Sequence, residues 1–101
     1  MKLPHYVFIG PYEFDIEYVE KLVGETDKLN GRISYENALI EVEKNVSDQV
    51  KREAIIHETL HACSVFANVN LEEEQVRLMA YQLTEVLQRN PQLFEMFKAP
   101  V

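Results

Sequence analysis

The 101-residue chain has a single cysteine, Cys63, so no internal disulfide can staple it. A reducing compartment, the cytoplasm, is the simpler expectation. No stretch approaches the ~20 consecutive apolar residues that a membrane-spanning helix needs. The opening Met1-Lys2-Leu3-Pro4-His5 lacks the apolar segment of a secretory signal. Basic residues are few and scattered: ten Lys and Arg against seventeen Asp and Glu leave a net charge of −7. With no Lys/Arg cluster to track a phosphate backbone, neither nucleic acid nor a membrane is an expected partner. Repeats, low-complexity tracts and linkers are also missing. The length is read as one domain, residues 1–101, around a single core.

What is present divides into a sheet region (1–46), a helical region (47–90) and a tail (91–101). Tyr6, Phe8, Tyr12, Phe14, Ile16 and Tyr18 recur at period two around Gly10-Pro11, the pattern of a β-hairpin. Val19 to Val23 reads as the start of a short helix and 24–30 as a loop. A second hairpin is expected from 31–35 and 38–43, with Ala38, Ile40 and Val42 on the dry face and Leu39, Glu41 and Glu43 on the other. Ser47 is a good N-cap, with Asp48 in the first turn, for a helix from about Asp48 to Ala67. A second helix is expected from about Leu71 to Arg89, presenting Val76, Met79, Ala80, Leu83, Val86 and Leu87 inward. The loop between them is short enough to force an antiparallel pair. The expected fold is therefore α+β: a small antiparallel or mixed sheet packed on two long antiparallel helices.

The first of these helices carries His57-Glu58-Thr59-Leu60-His61 inside an apolar run free of Gly and Pro. Positions four apart on a helix share a face, so both imidazoles can address one ion. Glu58 stands about 100° further round, where its carboxylate can reach a water on that ion without ligating it. Two neutral nitrogens and an adjacent carboxylate base are what a hydrolytic zinc site requires. Cys63 lies about 200° from His61 on the same helix and faces away from the ion.

A catalytic zinc commonly has a third protein ligand. Helical phase puts Glu72 and Glu73 on or beside the inner face of the second helix and turns Glu74 away. Glu73, on one stripe with Val76 and Ala80, is the expected ligand, and Glu72 the alternative. A competing role exists for Glu73: with Asn70 as N-cap it would be the third helical residue, completing a capping box.

His57-Glu58-x-x-His61, followed by a glutamate on the next helix, resembles the gluzincin branch of the zincin metallopeptidases. In size, and from Ile33 to Cys63, the chain is similar to the minimal gluzincins, small bacterial, archaeal and phage proteins built on a thermolysin-like core. That resemblance implies a zincin-like metallopeptidase domain whose cofactor is Zn2+, held by His57, His61 and Glu73. It makes Glu58 the catalytic general base in peptide-bond hydrolysis, with a protein or peptide as substrate. It also sets the strand from Ala38 to Val42 at the cleft edge, pairing with an extended substrate. An oxyanion-stabilising His or Tyr is part of the family pattern, with Tyr81, Tyr35 and His5 as candidates here. The alternative is a non-catalytic zincin-like domain that binds zinc or a protein partner. Leu93, Phe94 and Phe97 would form an apolar stripe on a final helical turn. The tail is expected either to close the core or to lie over the cleft and inhibit the chain itself.

Overall fold

The computed structural model describes residues 2–22 and 30–98. The alternating residues form β1 (Tyr6–Ile9) and β2 (Tyr12–Val19), antiparallel with Ile9 opposite Tyr12. Gly10 makes the turn between them at φ +58°, and a Cβ there would stand 3.0 Å from the Phe66 ring. Conformation and space both call for glycine at this point. β2 runs on through Val19, so the helix expected to start there does not form at its first residue. Glu20 to Leu22 are not helical either, with Lys21 at φ +56°, whereas Val23 and most of the loop lie outside the described residues.

The second hairpin joins β3 (Gly31–Ser34) to β4 (Leu39–Glu43), and β4 inserts parallel to β2. The mixed sheet has the order β1-β2-β4-β3. β4 is therefore an inner strand with both edges paired, and it cannot receive a substrate as the sequence reading expected. The edge strand on that side is β3.

α1 (Asp48–Phe66) lies across the sheet. Ser47 caps it, its hydroxyl accepting from the Val50 amide at 3.2 Å. Ile9, Phe14, Ile16, Ile40 and Val42 from the sheet bury against Ala54, Ile55 and Ala62 of α1. Complete burial of one such side chain stabilises by about 1.5–3 kcal/mol. Glu43 departs from its expected wet position and is 1 % exposed. Its carboxylate accepts from the Leu22 amide at 2.8 Å and the Asn45 amide at 3.0 Å, which offsets the loss of water.

α2 (Glu73–Arg89) packs on α1, burying Val76, Ala80 and Thr84. Met79, Leu83 and Val86, expected to face inward, are exposed instead. A helix that packs on one neighbour buries only a narrow stripe, and the 76–80–84 row occupies it. Gln88 Nε2 donates to Gln49 Oε1 at 2.7 Å, confirming the antiparallel arrangement of the helices.

The tail forms one short turn, α3 (Gln92–Glu95). Phe94, Met96 and Phe97 are exposed, so the described tail does not close the core. Nor does it contribute to the cleft described below; Phe94 borders a separate groove. Among the described residues, no helix is long and apolar enough to cross a membrane.

Candidate metal centre

α1 and α2 bring His57, His61 and Glu73 to one point in the lining of a cleft of about 690 Å3. His57 Nε2 stands 2.7 Å from Glu73 Oε1, and His61 Nε2 stands 2.8 Å from Glu73 Oε2. The two Nε2 atoms are 3.1 Å apart, with ring centroids at 4.8 Å. Donors about 2.0–2.1 Å from a tetrahedral zinc ion lie about 3.3 Å from one another. The observed separations are slightly shorter, so a small opening of the same three side chains accommodates such an ion. Two imidazoles and a carboxylate are also a suitable donor set for it.

The start of α2 gives the two glutamates different surroundings. Glu72 is the N-cap, its amide donating to the Gln75 side chain at 2.9 Å. Glu73 is the first helical residue, so the capping role considered for it falls to Glu72 and Gln75, and its carboxylate reaches the histidines. A carboxylate at the positive end of a helix is also favoured electrostatically.

Burial lowers the His57 pKa below its ordinary 6.5, with Glu73 pulling the other way and His61 reinforcing the drop. The neutral ring is the form that ligates a metal. Glu58 is 7 % exposed, and its pKa rises to about 7 through burial first and the nearby Glu73 charge second. A carboxyl that titrates near neutrality can exchange a proton under working conditions.

Gly31 brings β3 close to this carboxyl: a Cβ at Gly31 would meet Ala54 Cβ at 3.3 Å and Glu58 Cγ at 3.5 Å. Tyr35 borders the same cleft, and burial, followed by the Glu58 charge, raises its pKa. Arg77 and Tyr81 form the opposite wall, the guanidinium 5.6 Å from the Tyr81 ring centroid and paired with Glu74. Sequence reasoning did not single out Arg77. The available signal was its position four residues after Glu73 and four before Tyr81. His5 lies elsewhere, edge-on to Tyr18 at 5.8 Å, and Cys63 is exposed away from the cluster. No family model matches the chain, and neither a curated protein nor a solved structure is found to be similar to it.

Proposed function

We propose that this chain is a zinc-dependent endopeptidase of the minimal gluzincin type. The observation that carries the reading is the convergence of His57, His61 and Glu73, at 2.7–3.1 Å, beside the buried Glu58 carboxyl in one cleft. Zn2+ would be held by His57, His61 and Glu73, and when bound it supplies Lewis acidity towards a water and a peptide carbonyl. Glu58 takes the proton from the attacking water as the C–O bond forms. It returns that proton to the amide nitrogen as the C–N bond breaks.

The edge of β3, unpaired among the described residues, offers backbone hydrogen bonds to an extended peptide. Gly31, with no side chain between strand and helix, lets that peptide lie close to Glu58. The single unpaired cysteine supports a cytoplasmic setting. A second reading is a zincin-like domain that holds zinc for stability, or docks a protein, with little catalysis. Exposed Leu78, Met79 and Val86 on α2 favour it, since they form apolar surface that a partner would cover.

Cleavage of an unfolded protein by the zinc-loaded chain tests the proposal. Wild type should cleave, and Glu58→Gln should keep its zinc while losing at least about a hundredfold in rate. Equal cleavage by both proteins overturns the role of Glu58. Bound zinc without cleavage by wild type supports the second reading.

A further inference from the structure

On α1 the lining of the cleft extends from Val50 to His61, with the metal cluster at the far end. The nearer part is lined by Val50, Glu53 and Ala54, with Ala80 of α2 and Gly31 of β3. Glu53 stands one helical turn before His57 and two before His61, on the same face. Helical side chains lean towards the N-terminus, so its carboxylate reaches the part of the cleft ahead of His57. Glu53 is half-buried, and among the described residues its carboxylate makes no ion pair or hydrogen bond. The arginines lining the same cleft are already matched: Arg32 Nε stands 2.7 Å from Glu41 Oε1, and Arg77 is paired with Glu74. Glu73 is committed to the histidines and Glu58 to proton transfer. Glu53 is left as a cleft carboxylate with neither a task nor a counter-charge.

The strands fix which way a peptide would run past this carboxylate. β2 begins beside Phe66, the last residue of α1, with the Tyr12 and Phe66 ring centroids 5.7 Å apart. β4 is parallel to β2 and β3 antiparallel to β4, so β3 runs in the same sense as α1, its first residue Gly31 lying against Ala54. A peptide pairing antiparallel to β3, the more stable arrangement, has its C-terminal half towards Val50 and Glu53. One helical turn rises about 5.4 Å, a distance that an extended peptide covers in about two residues. We propose that the chain, as an endopeptidase, selects a lysine or arginine at the first or second position after the scissile bond, its charge at Glu53 and its stem along Val50 and Ala80. This selection rests on the peptidase reading of the cleft. A long cationic side chain suits the place because its methylenes can cover apolar groups while its head meets a carboxylate.

The test has two readouts on the full-length, zinc-loaded chain. The first is affinity, by calorimetric titration, for hydroxamates that anchor on zinc and extend as a Lys-Lys, a norleucine-norleucine or a Glu-Glu amide. The lysine compound should bind about tenfold tighter than the norleucine one, the worth of one charge-assisted hydrogen bond. Glu53→Gln should bring the two level. The second readout is a map, by mass spectrometry, of the bonds cleaved in an unfolded protein. Those bonds should be followed by Lys or Arg at the first or second position. The proposal is overturned if the lysine and norleucine compounds bind equally, or if Glu53→Gln leaves the preference intact. Tightest binding of the glutamate compound also overturns it, since that would give the subsite to Arg77. Cleavage without a basic preference overturns the substrate class and leaves the peptidase reading standing. A lysine preference in binding without any cleavage supports the cationic subsite and overturns the peptidase reading. The wild-type affinities decide the matter even if Glu53→Gln fails to fold.

Discussion

Removing the Glu58 charge should change how the metal-free protein responds to pH. The folded-state pKa of Glu58 is about 7 against an ordinary 4.5, because burial and Glu73 both penalise its ionised form. A raised pKa means that the folded state holds the proton more tightly than the unfolded state does. The stabilisation is complete below pH 4.5 and is lost as pH rises to about 7. At about 1.36 kcal/mol per pH unit, the loss comes to about 3 kcal/mol. His57 acts with the opposite sign: its lowered pKa adds stability as pH rises towards 6.5. Because His57 is present in both proteins, comparing wild type with Glu58→Gln isolates the carboxyl. Urea unfolding in chelator should therefore show wild type losing about 3 kcal/mol relative to Glu58→Gln between pH 4.5 and 7.5. Parallel stability profiles over that range would refute the burial argument.

Glu72→Ala should cost about 1 kcal/mol of stability through the lost cap and leave metal affinity unchanged, whereas Glu73→Ala should weaken zinc binding sharply; calorimetric titration with zinc and thermal melts in chelator separate the two. Gly10→Ala should destabilise by about 1–2 kcal/mol, because φ is +58° and the new Cβ meets the Phe66 ring, as denaturant unfolding would show. Glu43→Ala should cost at least about 2 kcal/mol by leaving the Leu22 amide buried without that acceptor, read as a fall in melting temperature. Cys63→Ser should keep full zinc stoichiometry by elemental analysis, since Cys63 lies outside the cluster.

The parts of this protein legible in its sequence are those written by local periodicity. Ser47 and Asp48 announced the start of α1, and the four-residue spacing of His57 and His61 put both rings on one face. Glu73 was legible as a helix-face neighbour of Val76, but its freedom from capping was not. That freedom depends on Gln75 engaging the Glu72 amide, two residues beyond the register expected from Asn70. Strand order escaped because alternation says which face of Ile40 and Val42 is dry and nothing about which strands lie beside them. Burial of Glu43 escaped because the Leu22 and Asn45 groups that bond it are backbone amides, which carry no residue-type signal. Met79 and Val86 have apolar side chains at helical spacing, yet among the described elements α2 packs chiefly on α1 and leaves them exposed.

The most direct test of the central claim is the zinc content of the purified chain after dialysis, measured for wild type, His61→Ala, Glu73→Ala and Glu58→Gln. Wild type and Glu58→Gln should each retain one zinc per chain, while His61→Ala and Glu73→Ala should retain far less. A metal-free wild type, or loss of zinc in Glu58→Gln with the fold intact, would contradict the division of roles between ligands and base.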